Sequence, residues 1–119
     1  MKAYTDLPQS KKLEEFLPIE SADMRYHTIS QYNLYPCDEI VYTIDFGKPS
    51  DIDTPAWSLA ALIDVLPEGV IENYYAPNLQ KENGKYSIAY GDEELLCVAD
   101  NPVDVCYEMI LKLHEQKLL

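Results

Sequence analysis

Two tight-turn dipeptides, Asn83-Gly84 and Gly91-Asp92, bracket the six residues 85–90, and apolar-rich runs lie on both outer sides of them. Asn, Asp and Gly accept the positive φ that two-residue hairpin loops require. A link this short can join only antiparallel strands, because a parallel pair needs a crossover of a dozen residues or more. The runs 71–77, 86–90 and 95–99 are therefore expected to form a three-stranded antiparallel meander. The apolar face of such a small sheet is expected to be covered by a helix or a second layer.

The covering elements are announced by Pro-containing caps. Asn101-Pro102-Val103-Asp104 places a cap residue before Pro at the first helical position, with an acid in the first turn. The helix that follows carries an apolar arc of Val103, Cys106, Tyr107, Ile110 and Leu113, and turns Asp104, Glu108, Lys112 and Glu115 to water. Thr54-Pro55 reads the same way, with Pro67-Glu68-Gly69 as the stop, and predicts a helix over 55–66. Its core stripe is Leu59, Leu62, Ile63 and Leu66. Asp6-Leu7-Pro8-Gln9 has capping-box spacing and predicts a helix over 7–16, ended by Pro18.

Ile40, Tyr42, Ile44 and Phe46 alternate with Val41, Thr43 and Asp45, the period-2 pattern of a strand with one buried face. Residues 23–27 predict a further short strand. The order is α-(β)-β-α-β-β-β-α, an α+β fold with an antiparallel sheet of four to five strands and three helices mainly on one face. At 119 residues the chain is expected to be a single domain, 1–119, with room for one core.

Charge narrows the partners. Nine Lys+Arg against 21 Asp+Glu give a net charge of −12, and no basic residue occurs between Lys48 and Lys81 or between Lys85 and Lys112. A chain without a basic stripe lacks the phosphate-neutralising interaction that dominates nucleic-acid affinity, and anionic membranes repel it. Direct nucleic-acid and membrane binding are therefore not expected. No apolar run approaches the roughly 20 residues that span a bilayer, and the start lacks the apolar core of a secretory signal. Cys37, Cys97 and Cys106 are odd in number and form no C-x-x-C pair, so a cytoplasmic chain with free thiols is expected.

Chemical motifs are sparse. Four glycines at 47, 69, 84 and 91 build neither G-x-G-x-x-G nor a P-loop, and G-x-S-x-G does not occur. Cys106 and His114 would sit about 12 Å apart along one helix, too far for a dyad. His27 and His114 lack metal-ligand spacing, and Asp51-Ile52-Asp53-Thr54 lacks the rest of a calcium loop. No catalytic residue, metal or cofactor is expected.

What remains is a surface. In the predicted helix over 55–66, Trp57, Ala60, Ala61 and Asp64 lie opposite the core stripe, where an isolated surface helix would carry Lys or Glu. Small residues beside one large aromatic suit close approach by another chain. Tyr74 and Tyr75 add contact area with a polar handle. These six residues form a candidate interface for a protein partner or a second copy. The alternative is that Trp57 packs under the segment 21–35.

The segments Ser21-Ala22-Asp23-Met24, Pro55-Ala56-Trp57-Ser58-Leu59-Ala60-Ala61-Leu62 and Asn101-Pro102-Val103-Asp104-Val105-Cys106-Tyr107-Glu108-Met109-Ile110 resemble a set of short proteins of anaerobic gut bacteria, often met in prophage or mobile-element neighbourhoods. The resemblance extends to Tyr4-Thr5-Asp6-Leu7 and Gln9-Ser10-Lys11-Lys12-Leu13 and brings no known activity. Three functions follow as expectations. The first is a non-enzymatic accessory protein that binds another protein. The second is an acidic inhibitor or nucleic-acid mimic of a host defence or DNA-processing enzyme. The third is a small enzyme built from scattered carboxylates and His27.

Overall fold

The computed structural model describes residues 1–28, 42–69, 76–91 and 95–119. The fold is α+β, with three helices and two three-stranded antiparallel sheets where the sequence suggested one sheet of four to five strands. The chain divides into two compact units, one of residues 6–57 and one joining residues 1–5 to 58–119.

The unit of residues 6–57 opens with α1 (Leu7–Glu14). Its capping box is complete: the Asp6 carboxylate accepts from the Gln9 backbone N–H at 2.9 Å, and the Gln9 side chain accepts from the Asp6 N–H at 3.1 Å. The helix ends two residues before the predicted limit. The predicted strand near 23–27 is present as β1 (Met24–Thr28), the centre of a sheet ordered β2-β1-β3, where β2 is Tyr42–Phe46 and β3 is Thr54–Ala56. Ile40 and Val41 of the predicted strand lie outside the described residues.

Two expectations fail in this unit. Thr54-Pro55 does not start a helix. Residues 54–56 are instead an edge strand against β1, with Arg25 opposite Pro55 and Met24 opposite Ala56. Pro has no N–H to offer a ladder, yet an edge position tolerates it, so the same dipeptide serves a strand as well as a helix cap. Phe46, assigned to a buried face, is 78% exposed. It ends the edge strand β2, while its cross-strand partner Met24 and, beyond it, Ala56 are buried.

Trp57 follows β3 and lies outside any helix. Its side chain is fully buried, and the indole N–H donates to Ser21 Oγ at 2.9 Å. The alternative placed Trp57 under the segment 21–35; the contact with Ser21 belongs to it, and residues 29–35 lie outside the described residues. Leu13 of α1, which packs on β3, and Ala56 are equally buried.

In the second unit, helix α2 spans Leu59–Val65, four residues later than predicted. Ser58 is the cap, and its Oγ accepts from the Ala61 N–H at 3.2 Å. The late start leaves a seven-residue helix whose buried side is Leu62, continued by Leu66 beyond its end. Ile63, predicted to be core, is 47% exposed.

The meander is present. Strands β4 (Pro77–Glu82), β5 (Lys85–Tyr90) and β6 (Leu95–Ala99) pair in that order. The first strand begins at Pro77, where the sequence placed its end; residues 71–75 are outside the described set. Asn83 and Gly84 both have positive φ, 52° and 76°, as a two-residue hairpin of the mirror-image type demands. Lys81 stands over the ring of its cross-strand partner Tyr86, 5.5 Å from the centroid.

Helix α3 (Pro102–Glu115) packs on β5, β6 and α2. Asn101 Oδ1 accepts from the Asp104 N–H at 2.9 Å, and Asp104 holds Lys2 at 2.8 Å. Val103, Cys106, Ile110 and Leu113 of the predicted arc are fully buried, joined by Val105 and Met109; Tyr107 is partly exposed.

Since Trp57 is interior, Trp57→Ala is expected to cost about 3–5 kcal/mol in urea unfolding, as for a buried large aromatic. A cost near zero would restore a surface role for this residue.

Candidate functional site

The second unit carries a largely apolar concavity on its surface. It runs beside α2 and the start of β4 and is lined by Ala60, Ile63, Asp64, Leu66, Glu68 and Pro77, among others. Beneath it lies a smaller pocket of about 70 Å³, bounded by Ile63, Leu66, Pro77, Leu79, Ile88 and Cys106. Three separate pieces of chain make these walls. Helix α2 turns Ile63 outward because its buried side is taken by Leu62. The β4–β5 register sets Leu79 opposite Ile88 on the face that α3 covers. Cys106 comes from α3.

Ile88 and Cys106 are buried while Ile63 and Leu79 are 47% and 42% exposed, so the first pair forms the floor and the second the mouth. The floor is chemically quiet. Burial pushes the Cys106 thiol up to about 11, and it pushes Cys97 up as well, so both are neutral thiols near pH 7. Tyr90, next on the same strand face as Ile88, is also held protonated by burial and donates to the Pro67 carbonyl at 2.8 Å. That bond ties the end of α2's following turn to the sheet and holds one wall of the concavity.

Of the six residues proposed for the interface, the structure brings Ala60 and Asp64 to this concavity, both exposed. Ala61 is partly exposed. Trp57 is buried in the other unit and offers no surface, because β3 occupies the residues that were to begin the helix. Tyr74 and Tyr75 lie outside the described residues. Ile63, Leu66, Pro77 and Leu79 were not proposed. Leu79 had a faint signal as the lone apolar residue between Asn78 and Gln80.

Other clusters are structural. His27 Nε2 lies 3.8 Å from Asp45 across the β1–β2 pair, and Arg25 lies 3.7 Å from Asp53. Asp53 accepts from the Ser50 backbone N–H and hydroxyl, both at 2.9 Å, which hold its carboxyl below the usual range despite burial. The Asp53 contacts close the turn into β3. Among the described residues, no group of three His, Cys, Asp or Glu could hold a metal ion, and no helix is long and apolar enough to cross a membrane. A scan against protein-family models, a search of curated proteins and a search of solved structures find no match to the chain.

The raised thiol fixes a pH dependence. Unfolded, Cys106 loses its proton near 9.0, while folded it keeps it to about 11. The folded state then binds the extra proton, and stability falls as pH rises through this window. The loss at Cys106 is expected to be on the order of 2 kcal/mol, and Cys106→Ala should flatten that part of the curve in urea unfolding from pH 8 to 11. An unchanged slope in the variant would contradict the assignment.

Proposed function

We propose that the chain is a non-enzymatic accessory protein that acts by binding another protein, in the cytoplasm of a bacterial cell and encoded within a prophage or mobile element. The observation that carries the binding role is the α2 concavity: an apolar trough with an apolar pocket beneath it is the form in which protein surfaces receive an anchoring side chain. The motif reading supports a binding role over catalysis. The rival, an acidic inhibitor that occupies a nucleic-acid site, is favoured by the net charge of −12.

One substitution separates the two. Ile63→Glu puts a carboxylate at the mouth of the pocket and leaves a partly exposed position, where the fold tolerates change. It also makes the chain more acidic. Affinity capture from the native host, quantified by mass spectrometry, should show proteins retained by the natural chain and depleted roughly tenfold or more by Ile63→Glu, as expected when about 1.4 kcal/mol of contact is lost. The variant should melt as the natural chain does. Equal capture by both chains would exclude the concavity, and equal capture of nucleic-acid enzymes would favour the rival.

A further inference from the structure

The chemistry of the trough specifies more than the presence of a partner. Resting on the protein-binding reading, we infer that the partner presents a basic segment with one aliphatic anchor, whose side chain enters the pocket formed by Ile63, Leu66, Pro77, Leu79, Ile88 and Cys106 while Lys or Arg residues beside it face Asp64 and Glu68. The anchor is aliphatic for reasons of volume and polarity. A pocket of about 70 Å³ is half of the roughly 150 Å³ that accepts a benzene ring, so the branched tip of Leu, Ile or Val fills it, whereas a Phe or Trp ring would stand partly outside. Carbon side chains and a neutral thiol line it. A polar tip would lose its hydrogen bonds to water and find no equivalent there.

The flanking charge follows from complementarity. Asp64 and Glu68 are exposed at the trough, and the sequence from Pro49 to Gln80 contains no Lys or Arg. Lys81, the next base, is engaged over the Tyr86 ring. An acidic segment would be repelled by this rim as well as by the net charge of −12. Exposed charges of this kind steer approach and select the partner, and salt weakens them.

The test uses the full chain, labelled with ¹⁵N, and three synthetic peptides of equal length: one of Lys and Leu in amphipathic order, one with every Lys replaced by Glu, and one with every Leu replaced by Ala. The Lys–Leu peptide should move the amide signals of Ala60, Ile63, Ala76 and Leu79 saturably, and the other two should not. Asp64→Lys/Glu68→Lys should weaken that binding about fivefold to tenfold, the consequence of turning two exposed attractions into repulsions. Glu108→Lys/Glu115→Lys makes the same change of charge on the far side of α3 and should alter binding less than about twofold at the same salt. Equal weakening by both pairs would reduce the effect to general attraction and overturn the inference, as would equal binding of the Glu peptide or the Ala peptide, or no saturable shift at the trough. Should the peptides fail while Ile63→Glu still releases captured proteins, the partner chemistry falls and the binding role stands.

Discussion

Burial of the α3 arc is the interaction on which the unit of residues 1–5 and 58–119 depends. Val103, Val105, Cys106, Met109, Ile110 and Leu113 are all removed from water, and each such side chain contributes about 1.5–3 kcal/mol relative to exposure. The meander supplies Ile88, Tyr90 and Leu95 to the same interior, and α2 with its C-cap residue supplies Leu62 and Leu66. A seven-residue helix is not stable alone in water, and a three-stranded sheet with one apolar face needs a layer to cover it. Helix α3, capped by Asn101 and anchored to Lys2 through Asp104, is what both pack against. The trough is a product of this arrangement, since its pocket exists where α2, the hairpin and α3 converge.

Local signals were legible wherever a backbone requirement had one solution. Asn83-Gly84 demanded positive φ and marked the hairpin; Asp6 and Gln9 completed a capping box; Asn101-Pro102 opened α3. Thr54-Pro55 had two solutions, because Pro at an edge strand and Pro at the first turn of a helix satisfy the same steric rule. Tertiary pairing with β1 chose the strand, a decision local sequence does not contain. The end of α3 was hidden in another way. Lys117, not Gly, takes the left-handed conformation at φ 60°, letting the Leu118 N–H reach the Leu113 carbonyl at 2.8 Å and the Lys117 N–H reach His114 at 3.0 Å.

The candidate site was legible only in part, and the reason is geometric. Ala60 stood out because a small residue stands where an isolated surface helix would carry Lys or Glu, and Asp64 because it shares that side of the helix. Trp57 stood out as the largest side chain nearby, but its exposure depended on a helix over 55–66, and α2 begins only at Leu59. Ile63 was assigned to the core because its position on a longer helix would have been central; on the shorter one it sits at the margin. The pocket joins residues as far apart as Ile63 and Cys106, and no period or spacing relates them.

The dependence of the unit on α3 can be read by native-state hydrogen exchange on Ile110→Ala, a buried large-to-small change expected to cost about 2–5 kcal/mol. If α3 organises the unit, the slowest amides of α2, β5 and α3 lose protection by the same free energy, because they open in one cooperative event. A loss confined to α3, with α2 and β5 as protected as before, would show that the hairpin and α2 hold together without it and would contradict the account.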